Sequence, residues 1–150
     1  MGIEPEYIDA SPSAAFLMES IRDFGYTIET AIADLVDNSI SAEASNIEIN
    51  LDKDENGQPM LTIDDDGFGM TEDELLQAMR LCSKDRNLVR SKNDLGRFGM
   101  GLKTSSLSQC RQLTVETTMH GLPSSMTWDL DEVKSKNDWS VRKNFIANKK

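Results

Sequence analysis

Three groups of residues have the types and spacing to do chemistry. Asp34 and Asn38 stand four apart in Ala31-Ile-Ala-Asp-Leu-Val-Asp-Asn-Ser39, so a helix there carries a carboxylate and a carboxamide on one face. Such a pair can orient a water and complete the shell of a metal ion. The second group is Asp64-Asp-Asp-Gly-Phe-Gly-Met-Thr71, where Gly67 and Gly69 let the backbone turn sharply and a flat ligand approach. Asp65 lies two residues before Gly67 and four before Gly69. Its carboxylate can accept a hydrogen bond from an exocyclic amine, which adenine has and guanine lacks at that position. The third is Gly96-Arg-Phe-Gly-Met-Gly-Leu-Lys103, with Gly96, Gly99 and Gly101 directly before a predicted helix. Free amides at a helix N-terminus form an anion site, and Lys103 adds a positive charge in the first turn. The G-x-x-G-x-G spacing is neither the dinucleotide fingerprint nor a Walker loop.

The elements that must position these groups follow from periodicity and capping. Ser11 or Ser13 caps a first helix running to about Phe24, with Phe16, Leu17 and Ile21 inward and Gly25 ending it. Thr27 opens the helix that carries Asp34 and Asn38, which fades near Ala44. Its apolar side is Ile32, Leu35, Val36 and Ile40. Asn46–Leu51 and Met60–Ile63 read as a hairpin. The turn between them resembles the start of an EF-hand, but its twelfth position is Ile63 where calcium needs a bidentate Glu. Thr71 caps a third helix with Asp73 and Glu74 in its first turn and Leu75, Leu76 and Met79 buried. Residues 82–98 lack periodicity and carry Lys84, Arg86, Arg90, Lys92 and Arg97, which reads as a lid over an anion. A helix from Gly101 to about Ser108 follows, then strands Gln112–Thr118 and Ser125–Leu130 around a turn at Gly121 and Pro123. Trp139, Val141, Phe145 and Ile146 belong to a short element of undetermined type. This order of elements predicts an α+β sandwich with helices on one face of a mostly antiparallel sheet.

The 150 residues fit one domain with a real core. A net charge of −10 opposes coating of nucleic acid by the whole chain. Cys82 and Cys110 offer neither a metal spacing nor a disulfide framework. They read as small packing residues, and the two tryptophans, Trp128 and Trp139, as buried. His120 stands alone in a turn and lacks partners for a metal or a triad. No stretch reaches the apolar length of a membrane span, and the first residues lack a signal-peptide pattern. The chain is therefore expected in the cytoplasm.

Taken together, the three groups resemble the GHKL ATPases: DNA gyrase B, the ninety-kilodalton heat-shock chaperones, histidine kinases and MutL. Asp34-Leu-Val-Asp-Asn-Ser39 resembles their N-box, and Asp65-Asp-Gly-Phe-Gly69 their adenine-contacting box. Gly96–Lys103 resembles the second glycine box, beside the lid. Leu-Val-Asp-Asn-Ser and Gly-Met-Gly-Leu-Lys look closest to the MORC and MutL branch. The resemblance covers roughly residues 14 to 130 and implies the Bergerat fold, with ATP between helices and sheet. It implies Asn38 as the protein ligand of Mg²⁺ and Asp65 on the adenine amine. Gly69 would lie under the base with Gly67 in the same turn, and Met70 against it. Gly99, Met100, Gly101 and Leu102 would offer amides to the phosphates, with Gly96, Lys84 and Lys103 nearby. Asp34 falls where relatives carry the glutamate that activates water.

Three departures bear on turnover. Asp is shorter than Glu by about 1.5 Å of reach, and a misplacement of about 1 Å can cost on the order of a hundredfold in rate. Ser41 stands where several relatives have an acid. No Gly-Thr follows Lys103, although relatives use one on a late strand beside the adenine. The chain is thus expected to be an N-terminal part lacking the last strand and a transducer domain. The function implied is ATP binding with slow Mg²⁺-dependent hydrolysis, acting as a conformational or dimerisation switch. ATP-dependent homodimerisation of a longer protein is expected, nucleic acid is engaged only indirectly, and no membrane is involved. The alternatives are an ATP sensor without hydrolysis and a phosphotransferase of the histidine-kinase type.

Overall fold

The computed structural model describes residues 5–23, 25–81 and 101–146. Helix α1 (Ala14–Ile21) begins at Ser13, whose hydroxyl accepts from Phe16 N. Its buried face is Ala14, Met18 and Ile21, whereas Phe16 is 76% exposed and does not face inward as expected. The apolar stripe follows the 14/18/21 spacing, which places position 16 on the opposite side. Gly25 has φ 72, a left-handed conformation that suits the turn before the next helix. Helix α2 (Ile28–Ser41) starts at Thr27, whose hydroxyl accepts from Thr30 N, and stops three residues short of Ala44. Its fully buried residues are Ala31 and Ser39, with Ile40 half exposed.

Strands β1 (Ile47–Lys53) and β2 (Pro59–Asp65) pair antiparallel with Ile49 opposite Ile63 and Leu51 opposite Leu61. The hairpin is longer than its alternation suggested because Asp54 Oδ1 accepts from Asn56 N and Gln58 N and tightens the turn. Helix α3 (Glu72–Met79) carries the full capping box: Thr71 Oγ1 accepts from Glu74 N while Glu74 Oε2 accepts from Thr71 N. Helix α4 (Gly101–Gln109) leads into β3 (Gln112–Met119) and β4 (Leu122–Asp129). These strands turn at His120 and Gly121, with φ 52 and 75, as a two-residue hairpin turn requires. Pro123 sits inside β4 rather than in the turn, beyond the short stretch that pairs with the next strand.

Two elements were not legible as such. Asp129 caps helix α5 (Leu130–Lys136) by accepting from Asp131 N and Glu132 N, and Asn137 ends it at φ 47. Strand β5 (Arg142–Lys143) pairs with β4 at Met126 and Thr127. Trp139 is 43% exposed, against the expectation of burial, whereas Trp128 is buried.

The architecture is α+β, with two antiparallel sheets among the described residues, β1-β2 and β3-β4-β5. The loop after β2 meets β3 where Met70 N donates to Thr117 Oγ1 at 2.8 Å. The core lies between α1, α3, α5 and β4, built on Met18, Ile21, Leu75, Met79, Trp128, Leu130 and Val133, with Leu107 of α4 at its border. Arg22 ties α4 to α1 by donating to Leu107 O and Cys110 O. The Cys110 thiol donates to Ser106 O, and burial pushes its pKa up, as suits a packing residue.

Candidate functional site

Asp34 and Asn38 sit one turn apart on α2, about 6 Å along its axis. Asn38 is exposed and Asp34 is half-buried. The Asp34 carboxylate faces α4: Ser105 Oγ, fully buried, donates to Asp34 Oδ2 at 3.0 Å. Tyr26, just before the α2 cap, lies beside the same carboxylate. Burial first, then the charge of Asp34 and hydrogen bonding to it, raise the Tyr26 phenol above its ordinary value. One turn after Ser105, Gln109 Nε2 donates to Tyr26 O at 2.7 Å. Helix α4 therefore holds α2 at Asp34 and the chain just before it at Tyr26. Ala31 of α2 and Thr104, Ser105 and Ser106 of α4 are small residues, all buried. Thr104 Oγ1 and Ser106 Oγ have no hydrogen-bond partner among the described residues.

The glycine turn after β2 is tied to both neighbours. Asp65 Oδ2 accepts from the buried Ser39 Oγ at 2.7 Å, and Asp65 Oδ1 accepts from Gly67 N at 3.0 Å. The residue is exposed, and a carboxylate has about four acceptor positions, so it retains capacity for a further donor. Asp66 turns the other way and accepts from Ser45 N, Asn46 N and Asn46 Nδ2. Those donors, Asn46 first, hold its carboxyl below the usual value. Of the three consecutive aspartates, Asp65 is thus the one fastened to the helix of Asp34 and Asn38.

The glycines are required, but by protein. A Cβ on Gly67 would meet Ala42 O at 2.6 Å, and Phe68 N donates to that same carbonyl at 2.9 Å. A Cβ on Gly69 would meet Thr118 O at 2.1 Å and Thr117 Oγ1 at 2.8 Å. The close approach seen there is that of α2 and β3. Met70, read as a contact for the base, packs partly buried against the core.

Lys103 also differs from a free charge in the first turn of α4. It is 2% exposed, and its Nζ donates to Ala78 O at 2.8 Å and Arg80 O at 2.6 Å. Trp128 Nε1 donates to Met79 O at 2.7 Å, so three successive carbonyls at the end of α3 are claimed by side chains. A cation there also complements the helix dipole. Gly101 opens α4 and Leu102 is half-buried. Lys84, Gly96, Gly99, Met100 and the lid span 82–98 lie outside the described residues.

Tyr26, Ser39, Ser105 and Thr117 escaped the sequence reading. The available signal was the run Thr-Ser-Ser-Leu-Ser in a predicted helix, because hydroxyl side chains compete with helical hydrogen bonds and their concentration asks for a reason. Among the described residues, no group of three or more His, Cys, Asp and Glu could hold a metal. Asn38 itself would offer a hard cation one neutral side-chain oxygen. That suits Mg²⁺, which keeps most of its waters and phosphate ligands. No helix among the described residues is long and apolar enough to cross a membrane. A shallow cavity lined by Val133, Val141 and Arg142 shares no residue with the site.

Residues 26–149 match the family described as histidine kinase-, DNA gyrase B-, and HSP90-like ATPase. The chain is similar to the ATPase morc-1 of Caenorhabditis elegans, at 33% identity over 93 residues, 62% of this chain and 10% of that protein. It is also similar to the DNA mismatch repair protein MutL of Buchnera aphidicola, at 35% identity over 71 residues, 47% of this chain and 12% of that one. The matched segments thus span about a tenth of these relatives' lengths.

Proposed function

Because this chain belongs to the family of histidine kinase-, DNA gyrase B- and HSP90-like ATPases, a family that binds ATP, we propose that it binds ATP with Mg²⁺ and hydrolyses it slowly on Asp34. The observation that carries this reading is the joint anchoring of the site. Ser39 fastens Asp65 to the helix that bears Asp34 and Asn38, and Ser105 fastens Asp34 to the helix that the glycine stretch enters. Adenine recognition and water activation are thereby mounted on one frame.

In this reading Asp65 accepts from the adenine amine. Gly67 and Gly69 shape the turn that holds Asp65 in place. Met70 steadies that turn from the core side. The amides of Gly99, Met100, Gly101 and Leu102 receive the phosphates, with Gly96, Lys84 and Lys103 in the same region. Lys103 would have to leave Ala78 O and Arg80 O to touch a phosphate directly, so its main contribution is to fix the end of α3. Asn38 would hold Mg²⁺, which when bound supplies positive charge against the triphosphate. Asp34 orients a water and takes its proton. A bond forms between the water oxygen and the γ-phosphorus. The bond from that phosphorus to the β,γ-bridging oxygen breaks, its electron pair leaves with ADP, and the Asp34 proton passes to solvent.

The reading extends to a conformational switch whose ATP state favours a homodimer of a longer, cytoplasmic protein. Supporting it are the similarity to an ATPase and a mismatch repair protein that are far longer than this chain. The charge of −10 directs any nucleic acid to other parts of such a protein. Titration calorimetry with a non-hydrolysable ATP analogue and Mg²⁺ tests the binding half. Micromolar binding by the wild-type chain that Asp65→Asn abolishes is the expected result. Equal binding by both would remove Asp65 from the adenine contact.

A further inference from the structure

A site with Asp in place of the expected Glu raises a geometric question: what brings the shorter carboxylate within reach. The α2–α4 seam answers it. Ser105 is 0% exposed and donates to Asp34 Oδ2 at 3.0 Å. It lies four residues after Gly101, so about 6 Å from the start of α4 along its axis. Ala31 of α2 and Ser105 of α4 are small and buried, and the Ser105–Asp34 bond joins the two helices where Asp34 stands. A seam that served packing alone would be better filled by apolar side chains, since a half-buried carboxylate carries a desolvation cost. The sequence keeps a carboxylate there and aims a buried hydroxyl at it.

From this contact we infer that Ser105 is a positioning residue for hydrolysis, setting Asp34 so that its other carboxylate oxygen addresses the water at the phosphate end of α4. This rests on the reading of Asp34 as the base. Ser105 does not touch the reacting atoms; it acts through Asp34. Beside the Tyr26 phenol, the buried Ser105 hydroxyl is the donor from α4, and a carboxylate so held loses the torsional freedom that would otherwise spread its oxygens over several positions. Its tether to α4 also sets its distance from whatever α4 binds. A shorter side chain pinned to the neighbouring helix can then do what a longer one does elsewhere.

The test uses the full chain with ATP and Mg²⁺ in steady-state phosphate release, alongside calorimetry with the non-hydrolysable analogue. Ser105→Ala is expected to lower kcat by about ten- to a hundredfold, the scale of a misplacement of about 1 Å. KM and analogue affinity should stay within about twofold of wild type, because phosphate and base contacts do not involve the hydroxyl. Ser105→Thr, which keeps the donor, should recover a substantial part of the rate. Wild-type turnover that Ser105→Ala leaves unchanged overturns the positioning role alone. A loss of rate and affinity together, not recovered by Thr, assigns Ser105 to packing and equally overturns it. No wild-type turnover at all, with analogue binding intact, sinks the hydrolytic reading itself, and this role falls with it.

Discussion

Helices α3 and α4 are close in length, lie on either side of residues 82–100, and are buried in opposite ways. Helix α3 buries Leu75 and Met79 completely and leaves its acidic first turn in water. Helix α4 buries Lys103, Thr104, Ser105, Ser106 and Leu107, so most of what it hides is polar. The first is held chiefly by apolar contact and a cap, with Lys143 paired to Glu72 at its start and Lys103 and Trp128 on its last carbonyls. The second is held by directed bonds: Lys103 to the end of α3, Ser105 to Asp34, and its own C-terminus to Arg22. Such polar burial specifies position more than it adds stability, since a buried polar group costs desolvation that only a partner recovers, and Thr104 Oγ1 and Ser106 Oγ have none among the described residues. The difference marks α4 as a helix whose placement matters to the site.

The comparison breaks most sharply on the apolar side. Leu75→Ala should lower unfolding free energy by about 2–5 kcal/mol, the usual cost of emptying a packed leucine site. Denaturant melts read this, and a loss below about 1 kcal/mol would mean that α3 is not anchored as described. Lys103→Met comes next. It leaves Ala78 O and Arg80 O without their donor, at about 1–3 kcal/mol. A stabilised Lys103→Met protein would instead show that the ammonium is tolerated there rather than used.

The smallest effect concerns the cap of α3 and is sharpened by pH. The Thr71 amide and then its hydroxyl hold the Glu74 carboxyl below its ordinary value of 4.5. A carboxyl depressed in the folded state stabilises above its unfolded pKa, and that contribution disappears as pH falls through the folded value. The wild-type advantage in unfolding midpoint over Glu74→Gln should therefore be present at neutral pH, begin to fall near 4.5 and vanish once the pH is below the lowered folded value. A constant difference across that range would remove the ionised cap from the account.

Much of the frame was legible because local rules agreed with tertiary demand. The Thr71-Glu-Asp-Glu74 capping box, the hairpin alternation and the Asp34/Asn38 spacing each stated one physical requirement. What was hidden depended on partners far along the chain. Phe16 looked like core until Ala14, Met18 and Ile21 took the inward face. Gly67 and Gly69 looked like room for a ligand, and Ala42 and Thr118 fill that room. Helix α5 offers two buried apolar residues, Leu130 and Val133, too few to show a period. Ser105 is a serine among serines, and only the fold singles out the one that faces Asp34.

The central claim is that Asp34 is the base of an ATP-hydrolysing site. Phosphate release by the wild-type chain and by Asp34→Asn, each at saturating ATP and Mg²⁺, tests it most directly. The account predicts a fall of about a hundredfold or more in kcat, the range for losing a positioned proton acceptor, with analogue affinity retained. A rate that survives Asp34→Asn unchanged would contradict the assignment and leave the chain as a nucleotide-binding module without this base.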